Sequence, residues 1–369
     1  MADTPPFIPI YQPDLSGNEK RYVNECIDTS WISSIGEFID RFEEAFKQVT
    51  GSPHALSVCN GTVALHLALH SLDIGPGDEV IVPTFTYIAS VNTIAQTGAK
   101  PVFVDCQESD WLIDPDDIRR KITARTKAIV PVHLYGAICD MDPIMAIARE
   151  YGLAVVEDCA EALGARKAGR HVGTFGDIGT FSFFGNKTIT TGEGGMIITQ
   201  DKGLAERMRL VKGQGMSLAR RYWHTELGFN YRMTNICAAI GLGQIERLPQ
   251  ILTRKREIGQ LYRKLLRDVP VTFQRVPKDV ASSDWLISLL LPPGVDRDAV
   301  ISAMREDNVD SRPTFYCAHI MPVHQRTDER HPVSEDVSAR GISLPSYPTM
   351  SDETVTRVVH TLLLSLKQG

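Results

Sequence analysis

The chain has no run of apolar residues approaching the roughly 18 that a membrane-spanning helix needs. Its first residues, Met1 to Phe7, show no basic segment followed by an apolar one, so no secretory leader is expected. These absences point to a soluble, cytoplasmic protein with no membrane partner. Long basic stretches are also missing and the formal net charge is -6, which argues against nucleic acid as the main partner. An anionic small substrate is still compatible, because individual loops can be locally basic. The seven cysteines are scattered, with no Cys-x-x-Cys pair, and read as free thiols of a reducing compartment. Cys317, His319 and His324 lie near one another, but their spacing matches no metal-ligand pattern and no metal is expected. Internal repeats and low-complexity tracts are absent.

What is present is an alternation of helical and strand patterns. Helices are expected over Asn18 to Asp28, Phe38 to Thr50, Val63 to Leu72, Tyr87 to Thr97, Pro115 to Ile122 and Asp142 to Tyr151. Short apolar strands are expected over Glu79 to Pro83, Lys100 to Asp105, Ala128 to His133 and Ala154 to Asp158. A further strand at Gly195 to Thr199 leads to a helix over Leu204 to Lys212, and a long helical region runs from Thr234 to Leu266. Nearly continuous apolar strands spaced by helices mean a sheet that is mostly parallel and covered on both faces. The pattern then changes to a strand (Trp285 to Leu291), a helix (Asp296 to Asn308), a Pro- and His-rich loop (Arg312 to Pro332) and a final helix (Asp352 to Lys367) that Ser351 is placed to cap. The expected organisation is a large α/β domain over 1–245 and a smaller α+β domain over 246–369.

The stretch Thr180-Phe-Ser-Phe-Phe-Gly-Asn-Lys187-Thr-Ile-Thr-Thr-Gly-Glu-Gly-Gly195 reads as an apolar strand running into a lysine and a glycine-closed turn. Isolated buried ammonium groups are costly. A desolvated lysine loses its proton more readily and can form a Schiff base with a carbonyl. Taken alone, a lysine that snorkels from a strand end to water is a competing reading. Asn60-Gly61-Thr62 enters a helix, where free N–H groups and the helix dipole favour a phosphate; a plain helix cap reads the same way. Asp158 closes a buried strand, and ligands of open α/β sheets bind beyond the carboxyl ends of strands. Beside a Schiff-base lysine, a carboxylate there can keep a pyridine nitrogen protonated, so that the ring acts as an electron sink.

This order of motifs resembles the fold-type I enzymes that use pyridoxal 5'-phosphate, and more specifically the DegT-type sugar-nucleotide aminotransferases. The matching stretches are Asn60 to Leu65, Pro83 to Ala89, Val132 to Gly136, Glu157 to Gly164, Phe181 to Lys187, Gly192 to Gly195 and Gly228 to Thr234. They span most of the chain in the family's order. The resemblance implies that Lys187 holds the cofactor as an internal aldimine and that Asp158 binds the pyridine nitrogen. Pyridoxamine 5'-phosphate would be the intermediate form. Tyr87 would stack on one ring face and Ala160 would lie against the other. Gly61, Thr62 and Ser182 would hold the phosphate, and Asn230 would reach it across a homodimer with shared active sites. Glu161 would lie near the phenolic oxygen, where relatives carry glutamine or histidine; it is expected either to be protonated or to be turned toward the substrate.

Trp31 to Ser34, His133 to Pro143, Gly213 to Met216, Arg220 to Trp223, Ser311 to Pro313 and His319 to Pro322 extend the resemblance to one branch. Members of that branch move the amino group of L-glutamate to C4 of a GDP-linked 4-keto-6-deoxymannose. Trp31, Ser33, Ser34, Glu193, Arg220, Tyr222, Arg312 and His324 are the residues this implies for the nucleotide-sugar groove. Arg220, Arg221 and Arg312 could pair with the diphosphate. Other expectations from the resemblance are a UDP- or dTDP-linked keto sugar, a sugar dehydratase on the same scaffold, and a non-catalytic regulatory relative. Dehydratases of this kind carry histidine at the place of Lys187, and a regulator would lack the Asp158 and Lys187 pair.

Overall fold

The computed structural model describes residues 6–217 and 219–367. In chain order, helices α1 (Glu19–Asp28) and α2 (Glu37–Thr50) precede strand β1 (His54–Val58) and helix α3 (Gly61–Ser71). Then follow β2 (Glu79–Pro83), α4 (Ala89–Gln96), β3 (Lys100–Val104), α5 (Pro115–Lys121), β4 (Thr126–Ile129), α6 (Met141–Tyr151) and β5 (Ala154–Asp158). A small hairpin, β6 (Arg166–Lys167) and β7 (Arg170–His171), leads to β8 (Ile178–Ser182), β9 (Gly195–Thr199), α7 (Lys202–Lys212), α8 (Asn235–Glu246) and α9 (Leu248–Leu265). The last third holds β10 (Thr272–Phe273), β11 (Val280–Ala281), β12 (Ile287–Leu290), α10 (Arg297–Glu306), β13 (Arg312–Pro313), α11 (Pro332–Arg340), β14 (Gly341–Leu344) and α12 (Asp352–Ser365).

Seven strands form the main sheet in the order β1-β9-β8-β5-β4-β2-β3. The run from β8 to β3 is parallel, while β9 is antiparallel to both β8 and β1. The α/β architecture with a mixed, mostly parallel sheet is the one expected. Every residue of β2 and β9 is buried, so helices cover both faces. That is why these strands read as continuous apolar runs rather than alternating ones. Phe42 and Phe46 of α2 pack on Phe181 and Phe183, with ring centroids 5.0 to 5.7 Å apart, and this fixes the strand that leads to Lys187.

Local sequence signals set the helix ends. Side chains of Asn60, Asp114, Asp201, Thr234, Asp296 and Ser351 accept a backbone N–H from the first turns of α3, α5, α7, α8, α10 and α12. A second, antiparallel sheet, β10-β12-β14-β13, shares a separate core with α10 and α12 that includes Leu289, Val300, Ile342 and Val358. Helix α9 belongs to both cores: Leu248 and Ile251 face the first, Ile258 and Tyr262 the second. Ile8 also joins the second core and forms a bridge with Val309.

Several boundaries differ from expectation for physical reasons. The strand expected to reach His133 ends at Ile129, because Pro131 has no N–H for the ladder. Its carbonyl still accepts the Asp158 N–H at 2.9 Å. The long helix from Thr234 breaks at Arg247, where Pro249 starts a new helix. Lys187 is not at a strand end: β8 stops at Ser182, and the Lys187 N–H donates to the Phe184 carbonyl in a turn at 2.9 Å. The Pro- and His-rich loop contains β13, and it is followed by α11 and β14, which the flanking His331-Pro332 and Leu344-Pro345 steps conceal in the sequence.

Candidate active site

A cavity of about 450 Å³ opens beyond the carboxyl ends of β5 and β8 and against the first turn of α3. The sequence-expected residues Gly61, Thr62, Tyr87, Asp158, Ala160, Glu161, Ser182, Lys187, Glu193 and Arg312 all line it. They come from chain positions more than 200 residues apart, and only the two sheets meeting at this point assemble them.

The Lys187 side chain is 13% exposed, and its Nζ lies 3.7 Å from Glu161 Oε1 and 4.2 Å from the centre of the Trp285 ring. Asp158 is buried and, among the described residues, forms no ion pair. Instead its Oδ2 accepts the Ser90 hydroxyl at 2.7 Å and its Oδ1 accepts the Ala160 N–H at 3.0 Å. A buried carboxylate left without a cation is costly, so this site is suited to a protonated nitrogen supplied from outside the chain. Glu161 turns inward. Its Oε2 accepts the Tyr135 N–H at 3.0 Å, and complete burial raises its carboxyl to about 7 against the pull of Lys187.

At the opposite wall, Asn60 Oδ1 accepts the Val63 N–H at 2.9 Å. The N–H groups of Gly61 and Thr62, in the first turn of the helix, have no intrahelical partner. A Cβ on Gly61 would stand 2.7 Å from Ser182 Cβ and 3.0 Å from Ser182 Oγ. Glycine is therefore what lets the serine hydroxyl and the helix N-terminus share one concave surface. A phosphate fits this cradle, the uncompensated Asp158 fits a pyridinium nitrogen, and the Lys187 amine is placed where an aldehyde could reach it. Tyr87, 58% exposed, stands over the opening with its ring 5.8 Å from that of Phe315.

Seven expected residues lie outside this cavity. His324 is buried elsewhere: its Nε2–H donates to Asn92 Oδ1 at 2.8 Å and its ring packs edge-on against Phe103. It therefore does not line this cavity. Trp31, Ser33 and Ser34 are held at the α2 entrance, where the Asn235 Nδ2 donates to the Trp31 carbonyl at 2.7 Å. Arg220, Tyr222 and Asn230 belong to an exposed arm between α7 and α8, closed by bridges between Gly213 and Asn230 and between Met216 and His224. None of these seven is among the described residues that line the Lys187 cavity.

Sequence reasoning missed Trp285, Tyr135, Phe315, Ser90 and Asn186. Trp285 Nε1–H donates to the Asn186 carbonyl at 2.6 Å. The Tyr135 ring stacks between those of Trp285 (6.4 Å) and Phe315 (5.5 Å), and its hydroxyl accepts the Phe315 N–H at 3.2 Å. The one signal for this wall was Tyr135-Gly136. Gly136 has φ 105°, and a Cβ there would come 2.5 Å from the Asp284 nitrogen. This close approach seats Trp285 in the cavity.

Among the described residues, the one group that converges as a metal site would is His133, Glu157 and Cys159. Its ligand atoms are already used. His133 Nδ1 accepts the Cys139 N–H at 3.1 Å, which leaves Nε2–H to donate to Glu157 Oε2 at 3.0 Å. Glu157 also accepts the N–H groups of Gly173 (2.9 Å) and Gly176 (2.6 Å). The cluster braces the end of β5.

Residues 13–363 match the DegT/DnrJ/EryC1/StrS aminotransferase family. The chain belongs to that family. It is 51% identical over 356 residues to the GDP-perosamine synthase of Escherichia coli O157:H7, covering 96% of this chain and 98% of that one. It is 46% identical over 359 residues to the GDP-perosamine synthase of Vibrio cholerae, again covering 96% and 98%. The structure of the aminotransferase TlmJ from Streptoalloteichus hindustanus superposes with a TM-score of 0.94 at 30% identity, covering 98% of this chain and 99% of that one. Enzymes of this family depend on pyridoxal 5'-phosphate, and the cavity has the amine, the carboxylate and the phosphate cradle that this group requires. No helix among the described residues is long and apolar enough to cross a membrane.

Proposed function

We propose that the enzyme transfers the amino group of L-glutamate to C4 of GDP-4-keto-6-deoxy-D-mannose, giving GDP-perosamine for a surface polysaccharide. The observation that carries the reaction class is Lys187 and Asp158 facing one cavity whose far wall is the Gly61–Thr62 helix start and Ser182. The choice of sugar is supported by the 46% and 51% identical synthases. Bound pyridoxal 5'-phosphate supplies an electron sink for carbon–hydrogen bond cleavage. The chain's residues do the rest. Lys187 Nζ would hold the cofactor's aldehyde carbon and, once free, its amine would carry the proton from the α-carbon of glutamate. Asp158 holds a proton on the ring nitrogen. The N–H groups of Gly61 and Thr62 and the Ser182 hydroxyl bind the phosphate. Ala160 and Tyr87 confine the ring, and the aromatic wall of Tyr135, Trp285 and Phe315 keeps water from the reacting carbon. Arg312, an exposed cation at the rim, is suited to a carboxylate or diphosphate, and Glu193 faces the same space as a hydrogen-bond acceptor for a sugar hydroxyl.

We infer a homodimer, in which the arm bearing Asn230 reaches the second copy's phosphate cradle. The same association would bring Trp31, Ser33, Ser34, Arg220 and Tyr222 to the substrate groove. Supporting this, Tyr222 is 75% exposed, and Trp223, Leu227, Ile32 and Ile35 are exposed with it, an apolar surface that water does not favour. The scattered free cysteines support work in the reducing cytoplasm. Purified enzyme given L-[15N]glutamate and the GDP-linked keto sugar is expected to return a product labelled at C4, read by NMR. No label from the GDP sugar, with clear label from a UDP- or dTDP-linked one, overturns the substrate. A monomer in sedimentation that retains full turnover overturns the shared site.

A further inference from the structure

Lys255, in the middle of α9, is completely buried and has no ion-pair partner among the described residues. Its Nζ donates to the Trp285 carbonyl at 2.8 Å, the Ser346 carbonyl at 2.5 Å and the Ser346 hydroxyl at 2.6 Å. Three acceptors match the three N–H bonds of an ammonium. The Tyr11 ring lies 5.3 Å from the same nitrogen. Burial lowers Lys255 to about 7, with Asp284 opposing. A methionine would fill this space without the desolvation cost of an ammonium, so the residue needs a reason beyond packing.

The reason lies in what its partners touch. Trp285 and Ser346 stand at one end of the small sheet, just before β12 and just after β14. The Trp285 indole donates to the Asn186 carbonyl at 2.6 Å and lies 4.2 Å from Lys187 Nζ. The Tyr11 hydroxyl donates to the Thr188 carbonyl at 3.4 Å. The Ser346 N–H donates to the Ile10 carbonyl at 3.0 Å, which ties the Tyr11 segment to the same node. The residues before and after Lys187 are thus each held by a residue that contacts Lys255: Trp285 through its carbonyl and Tyr11 through its ring.

We propose that Lys255 is a positioning residue for Lys187, acting through the Trp285 backbone and indole to aim the reactive amine. This rests on Lys187 being the reactive amine of the transfer proposed above. Its two cores meet here, so the ammonium couples the placement of the small sheet to the geometry of the reaction.

The test compares Lys255→Met and Trp285→Phe in the full chain. With Lys255→Met, kcat is expected to fall about tenfold while KM for the sugar nucleotide stays within about twofold, the pattern of lost alignment rather than lost binding. In cofactor-free protein, reductive methylation of Lys187, read by mass spectrometry, is expected to speed up about threefold as the ring's hold on the ammonium is lost. The exposed Lys127 serves as the unchanged control. Trp285→Phe should alter Lys187 labelling in the same direction, and the double variant should add little. A lower Tm for Lys255→Met, with parental labelling and parental kcat below that Tm, overturns the proposal. If Lys255→Met does not fold, parental labelling and kcat in Trp285→Phe overturn it. Failure of the unsubstituted enzyme to transfer nitrogen would instead overturn the underlying function.

Discussion

Glu161 makes folding itself depend on pH in a way that a single amide substitution should erase. In the cofactor-free protein its carboxyl is buried, with one oxygen accepting the Tyr135 N–H and the other 3.7 Å from Lys187 Nζ. Burial raises the group from 4.5 to about 7. A folded-state value above the unfolded one means that the folded protein binds this proton more tightly. The stabilisation is fully present below the unfolded value and is lost as pH rises through the folded value. At about 1.4 kcal/mol per unit, the full span amounts to about 3 kcal/mol. Glu161→Gln keeps an acceptor for the Tyr135 N–H and never ionises. Buried histidines titrate over part of the same range in the opposite sense: burial holds His171 at about 4, so its contribution to stability grows with pH. They are common to both proteins and cancel in the difference. Denaturant unfolding of both proteins at pH 5 and pH 8.5 should show Glu161→Gln gaining about 2 to 3 kcal/mol on the parent between the two pH values. A stability difference that is the same at both pH values refutes the buried, proton-retaining carboxyl.

Ser90→Ala removes the hydroxyl that donates to Asp158 Oδ2 at 2.7 Å. Because the bond is buried and made to a charge, unfolding measurements on the cofactor-free enzyme should show a loss of about 1.5 to 3 kcal/mol, with kcat/KM lowered as well. Asn235→Ala leaves the buried Phe38 N–H without its 3.1 Å acceptor and frees the Trp31 carbonyl. It should cost about 2 kcal/mol in urea unfolding, and limited proteolysis should cut first between residues 29 and 36, the segment that Asn235 holds down.

Much of this enzyme is readable in its residue order. The apolar strands β2, β5 and β9 stand out because burial on both faces removes the need for polar alternation. The caps at Asn60, Thr234 and Ser351 are local signals with local causes. Lys187, Asp158 and the Gly61–Thr62 turn carry chemistry in their residue types, and a charge or a glycine beside apolar strands is conspicuous. Which residues line the cavity was less legible for the expected substrate contacts. His324 sits among basic and proline residues that read as a binding loop, yet Asn92 and Phe103 bury it. Trp285 carries no local mark of its role, because what it does depends on Asn186, about a hundred residues earlier.

The sequence alone determined which groups can do chemistry: an amine, a carboxylate and a helix start in a fixed order along alternating elements. Those properties are local, set by side-chain type and by the hydrophobic period of the surrounding strand or helix. Only the tertiary structure decided which groups meet. It packed Gly61 on Ser182, turned Glu161 toward Lys187 and docked the small sheet so that Trp285 lies over Lys187. It also placed a buried ammonium, Lys255, where both cores converge. Such contacts depend on close packing between segments far apart in the chain, and neither residue type nor periodicity records a distance of that kind.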